Sequence, residues 1–198
     1  MAGLLLFAED PQRYRPQFVV KAIRYPGYSI HAQHYLDTED LAGSLRSLYD
    51  QSIGFISRNL HRVQGEGGVN SAGVPEIPLV VFEELLVNAL IHRDYLIDAP
   101  IRIFVFDHRI EILSPGHLPN HLTIPRIRAG ISNIRNPILT SFAAKGGLPY
   151  RGLGSGLSRA LEAWPHIDFV DDRGACQFGV TIHRRPFPWS SKWGGSPG

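Results

Sequence analysis

The stretch from residue 79 to 92, Leu-Val-Val-Phe-Glu-Glu-Leu-Leu-Val-Asn-Ala-Leu-Ile-His, constrains the fold more than any other part of the chain. It contains neither glycine nor proline and is entered through Pro78, so it predicts a helix with proline at its first turn. Apart from Glu83, this helix is apolar nearly all round except for Glu84, Asn88 and His92. Those three are spaced i, i+4, i+8 and therefore share a face. Burying an amide and a carboxylate among Leu, Val and Phe costs free energy unless each finds a partner. One such partner is a cation with its phosphate ligand: Asn offers a carbonyl oxygen to Mg²⁺, and Glu one turn earlier can orient or deprotonate a water. The other reading is that Glu84 and Asn88 cap a neighbouring loop.

Around this helix the chain falls into two blocks. Residues 3–7 and 17–24 are read as strands separated by a turn at Pro11 and Pro16. Thr38 is read as the N-cap of a helix that carries Leu41, Leu45, Leu48, Ile53, Phe55 and Ile56 up to Asn59. A stretch holding Gly65, Gly67, Gly68 and Gly73 without apolar periodicity follows, the composition of a linker. In the second block, residues 101–106 and 109–113 are strands joined at Asp107-His108. Two helical pieces, 121–128 and 137–145, come next. A helix then opens at residues 152–156 and is stopped by Pro165. Strands 167–170 and 177–184 close the block. The order predicts an α/β or α+β chain with a mostly antiparallel sheet.

At 198 residues, with 43% hydrophobic and 19% charged side chains, the chain can bury a globular core. Its formal charge of +2 does not announce a nucleic-acid surface, although arginine outnumbers lysine 17 to 3. The single Cys176 excludes an intramolecular disulfide and a cysteine-clustered zinc site. His117 and His121 are four apart, but Pro119 between them breaks the helical spacing a metal pair would need. No apolar run approaches the ~20 residues of a membrane span, so a cytoplasmic protein is expected.

Two further segments could carry chemistry. Gly152, Gly154 and Gly156 alternate straight into a helix, exposing backbone N–H groups at its positive end, where anions bind. The bland reading is a flexible loop. It is not a dinucleotide-binding fingerprint, because Leu157 stands where the third glycine would be and a helix precedes the loop. No Gly-Lys-Ser/Thr with the required upstream glycine occurs, which excludes a P-loop helicase or any P-loop NTPase. The second segment, Ile110-Glu-Ile-Leu-Ser-Pro-Gly-His-Leu-Pro119, is a strand that ends in a Pro-Gly turn. Backbone can approach a flat ligand closely at such a glycine, and an ordinary type II turn is the alternative.

Taken in order, Glu84-x-x-x-Asn88-Ala89, the strand ending at Gly116, a variable lid, Gly152-x-Gly154-x-Gly156 and a closing strand pair resemble the Bergerat ATP-binding fold of the GHKL group. More narrowly, Glu84-Leu-Leu-Val-Asn-Ala-Leu-Ile-His-Arg-Asp-Tyr95, the 110–119 phrase and Gly130-Ile-Ser-Asn-Ile-Arg-Asn-Pro137 resemble the ATPase-like C-terminal domain of bacterial transcriptional regulators described as RecG-related DNA helicases. Residues 4–11 and the segment through Asn59 resemble the end of the Schlafen/AlbA-like domain that precedes it in that family.

The resemblance implies a mixed, mostly antiparallel sheet covered by helices on one face. It divides the chain into residues 1–62 (end of the preceding domain), 63–74 (linker), 75–185 (ATPase-like domain) and 186–198 (tail), a fragment or short member of the family. It implies ATP and Mg²⁺ as ligands. Asn88 becomes the Mg²⁺ ligand, Glu84 the general base, and Gly152, Gly154 and Gly156 the phosphate-binding turn. Gly116 lies beside the adenine, and Arg135 is a phosphate contact within a lid of residues 132–136. The chain departs from the pattern at the acid that accepts from the adenine amino group: that slot holds Pro115, with Ser114, which can hydrogen-bond but carries no charge, before it.

Three functional readings follow. The first is an ATP·Mg-binding module, with weak ATPase activity at most, in a DNA-linked regulator whose DNA contacts are made by parts outside this chain. The second is a degenerate, non-catalytic domain for interaction or homodimerisation, which the missing acid favours. The third is direct DNA binding through Arg58, Arg62, Arg126, Arg128, Arg184 and Arg185.

Overall fold

The computed structural model describes residues 1–30, 33–64, 73–119, 121–150 and 155–185. Its centre is a six-stranded sheet in the order β2-β1-β5-β6-β8-β7. These strands are β1 (Val20–Arg24), β2 (Asp37–Leu41), β5 (Ile101–Val105), β6 (Arg109–Pro115), β7 (Ile167–Asp172) and β8 (Gln177–His183). Only β1 with β5 is parallel; the other four pairings are antiparallel. The mixed, mostly antiparallel sheet expected from the sequence is thus present.

Strand alternation sorts the two faces. In β5, Ile101, Ile103 and Val105 enter the main core, while Phe104 points the other way into a small cluster with Tyr25 and Phe106. The main core lies under three helices: α2 (Leu45–Asn59), α3 (Leu79–His92) and α6 (Gly156–Ala163). In α3, Val81, Phe82, Leu85, Leu86, Val87, Leu90 and Ile91 are all buried, as an almost wholly apolar helix requires. Each such side chain contributes roughly 1.5–3 kcal/mol of burial.

The first block differs from the sequence reading at two elements. Residues 3–7 belong to a short helix, α1 (Ala2–Phe7), with Leu5 in the core, not to a strand. A short apolar run has no periodicity that separates the two states, and Leu and Ala favour the helix. Thr38 caps no helix; it lies in β2, opposite Ile23. Gly43, at φ +114°, turns the chain, and Ser44 then caps α2, its Oγ accepting from the Ser47 N–H at 3.3 Å.

Residues 1–62 also share sheet and core with residues 75–185, because β1 pairs with β5 and Leu5, Leu45, Phe55 and Ile56 join the α3 core. At the expected linker, β3 (Arg62–Val63) and β4 (Val74–Pro75) pair as a two-stranded ribbon. Residues 65–72 of that linker and the whole 186–198 tail lie outside the described residues. Two short helices, α4 (Ile124–Arg128) and α5 (Pro137–Phe142), the latter continued by one π-helical turn over Ala143–Gly147, cross from β6 back to α6. No helix among the described residues is long and apolar enough to cross a membrane.

Candidate functional site

A cavity of about 110 Å³ lies between α3, the end of β6, the α4 segment and the start of α6. From α3 it is lined by Leu85, Asn88, Ala89 and His92; from β6 and its turn by Ile112, Ser114, Gly116 and His117; from the segment after α4 by Ile131, Ser132, Asn133 and Arg135; and from α6 by Gly156 and Leu157. Of the sequence-predicted residues, Asn88, Ser114, Gly116, Arg135 and Gly156 therefore meet here. Glu84 does not line the cavity. Gly152 and Gly154 lie outside the described residues.

Each side chain is held for an identifiable reason. Asn88 Nδ2 donates to the Glu84 carbonyl at 2.7 Å, so its Oδ1 is the free end of the amide. Ser114 Oγ donates to the Ala89 carbonyl at 3.2 Å, docking β6 on α3 and leaving hydroxyl lone pairs to accept from a ligand. Gly116 adopts φ +101°, and a Cβ there would run into Arg135 Nη1 and stand 2.6 Å from Asp94 Cβ. Both the backbone conformation and the close approach of Asp94 demand glycine at this turn.

Arg135 donates from Nη1 to the His92 carbonyl at 3.2 Å and from Nη2 to the His117 carbonyl at 2.5 Å. Beside it, Asn136 Nδ2 donates to the Ile91 and Arg93 carbonyls at 2.9 and 2.8 Å. Together they satisfy the Ile91, His92 and Arg93 carbonyls at the C-terminus of α3, while the Tyr95 hydroxyl donates to that of Leu90 at 2.8 Å. This capping role was not legible in the sequence, because its partners lie more than forty residues away.

His92 is held as neutral imidazole. Burial, and then the Arg135 charge, push its pKa from 6.5 down to about 4. Glu84 is buried and faces α6, where Arg159 Nε and Nη2 donate to its Oε1 at 2.8 and 2.5 Å. Arg159 Nη1 also donates to Ser155 Oγ at 2.9 Å. Nothing in the sequence singled out Arg159, which lies in a helix interior. Among the described residues no group of three His, Cys, Asp or Glu side chains could hold a metal ion. A hard cation in this cavity would draw on Asn88 Oδ1 and on oxygens of its own ligand.

Residues 98–173 match the family model described as "Putative ATP-dependent DNA helicase recG C-terminal". The match supports a RecG-related, HATPase-like domain. It spans Ser114, Gly116, Arg135 and the glycine turn, and begins after α3. Among solved structures, the DIP2311 protein from Corynebacterium diphtheriae is similar, with a TM-score of 0.76 at 22% identity over 93% of this chain. This chain spans 37% of the length of that protein. No curated protein matches the sequence. The likeness establishes the fold: a Bergerat-like α/β arrangement, its mixed sheet covered by helices on one face.

Proposed function

We propose that the cavity is the ATP·Mg site of a nucleotide-binding module within a DNA-linked regulator. The observation that carries this reading is the convergence of Asn88, Ser114, Gly116, Arg135 and Gly156 on one cavity. The donor set fits the ligand. The Asn88 carbonyl oxygen suits Mg²⁺, and Ser114 Oγ can accept from an adenine amino group. Gly156 opens α6, whose backbone N–H groups favour phosphate. Arg135 contributes a positive charge at the lid, although two of its donors already serve α3 and the β6 turn. The bound Mg²⁺ would supply charge neutralisation for the phosphates.

Titration with ATP·Mg by calorimetry tests the proposal. Binding by the native chain and its loss in Asn88→Ala are the expected results. Silent titration of the native chain, or unchanged binding by Asn88→Ala, sinks it.

The second reading, an interaction domain that binds no nucleotide, is favoured by one observation: among the described residues no carboxylate side chain lines the cavity, whose walls are mostly apolar. Silent calorimetry together with dimerisation that rises with protein concentration would select it. DNA contact we assign to parts outside this chain. Of the arginines considered for it, Arg58 is paired with Asp37 and Glu39, and Arg184 is buried against Glu76.

A further inference from the structure

We infer that Arg159 and Glu84 form a strut that fixes the distance between the two walls of the cavity, and that Glu84 is therefore a positioning residue and not a general base. The inference rests on the nucleotide reading for its ligand, but the strut itself is visible without one. α3 supplies Asn88 to the cavity and α6 supplies Gly156 and Leu157. Directly behind them, Arg159 reaches from the first turn of α6 to Glu84, one turn before Asn88. The pair is buried on the carboxylate side, with only 6% of the Glu84 side chain exposed.

Of the two carboxylate oxygens only Oε2 keeps lone pairs that Arg159 does not occupy, and Glu84 does not present it to the cavity. Both bonds from Arg159 end on Oε1, which fills its acceptor sites. Oε2 is buried and has no hydrogen-bond partner among the described residues. It is backed against α6: a Cβ on Gly156 would lie 2.5 Å from it and 3.4 Å from Asn88 Nδ2. A general base must stand within about 2.6–3.2 Å of the proton it takes, or reach it through one water. Glu84 instead faces helix backbone, outside the cavity lining.

The third donor of Arg159 holds Ser155, the residue through which the glycine turn enters α6. One guanidinium thus ties the end of that turn to the helix that carries Asn88. On the nucleotide reading, such a site would hold its ligand without proton transfer to Glu84.

The test compares the full chain with Arg159→Met, Arg159→Lys, Glu84→Gln and the double variant Glu84→Gln/Arg159→Met. The double variant removes the unpaired buried charge if Arg159→Met alone fails to fold. Three quantities are read: ATP·Mg affinity, phosphate release, and amide hydrogen exchange across residues 156–160. The native chain is expected to bind ATP·Mg and to release phosphate no faster than ATP alone. Loss of the guanidinium is expected to weaken binding at least tenfold and to speed exchange at least tenfold, with Arg159→Lys recovering part of both.

Phosphate release by the native chain that Glu84→Gln abolishes would overturn the inference, because Glu84 would then be a base. Native-like exchange in the variants lacking Arg159 would overturn it as well. If no variant binds ATP, the nucleotide reading fails, and the exchange rates alone decide the strut.

Discussion

Gly156 packs so closely on Glu84 that a Cβ at the glycine would sit 2.5 Å from Oε2. The glycine that opens α6 is thus fitted to a carboxylate on α3, and the carboxylate is in turn held by Arg159 three residues along α6. A larger side chain at this position would have to displace that carboxylate.

Gly156→Ala should accordingly act through packing. The displaced carboxylate can move only by straining its bonds to Arg159, and overpacking of this kind costs typically about 1–3 kcal/mol. Urea unfolding should show a lower midpoint at unchanged slope. An unaltered midpoint would mean that α6 shifts freely and that the close approach carries no constraint.

The neutral state of His92 sets a pH dependence. Its pKa is lowered in the folded chain, from 6.5 to about 4, so between those values the unfolded chain binds the proton and the folded chain does not. Stability then rises with pH across this window. The contribution is fully present above about pH 6.5 and is lost on acidification towards pH 4, amounting to at most about 3 kcal/mol. Urea midpoints between pH 4.5 and 7.5 should show this slope, and His92→Gln should flatten it. A His92→Gln profile parallel to the native one would assign the slope to other groups.

What the sequence disclosed about the site and what it hid divide along sequence distance. Glu84, Asn88 and His92 were legible as one polar stripe, and Asn88 and His92 do line the cavity. Glu84 does not, because 3.6 residues per turn advance a four-residue step by about 40°, so that eight residues separate Glu84 from His92 by about 80° around the helix. The stripe winds from α6 into the cavity.

The β6 turn and the start of α6 were legible from their glycines and prolines, since turn chemistry is local. The Arg159 clasp and the Asn136 cap were not, because each joins residues whose partners are set by tertiary packing. The parallel pairing of β1 with β5 was hidden for the same reason, and it brings residues 1–62 into the same sheet as the second block.

Asn136 offers a direct measure of how the segment before α5 is anchored to α3. Its amide closes two carbonyls at the end of α3, and Asn136→Ala leaves both without this partner. The expected cost is about 1–3 kcal/mol, the penalty of unsatisfied buried acceptors. Amide exchange should accelerate first in the last turn of α3. Unchanged exchange there would show that water replaces the amide at no cost.

The ion pair between Arg184 and Glu76 separates charge from packing. Arg184, only 6% exposed, also donates to the Phe106 carbonyl at 2.8 Å, and Glu76 Oε1 accepts from the His61 N–H at 2.9 Å. The pair therefore fastens the end of β8 to the segment that leads into α3. Removing one partner strands a buried charge, so Glu76→Leu should destabilise the chain by about 3–5 kcal/mol. Glu76→Leu combined with Arg184→Met removes both charges and should recover most of that loss. A double-mutant cycle by urea denaturation reads the difference. Additive single losses would show that the two side chains contribute independently and that the contact couples nothing.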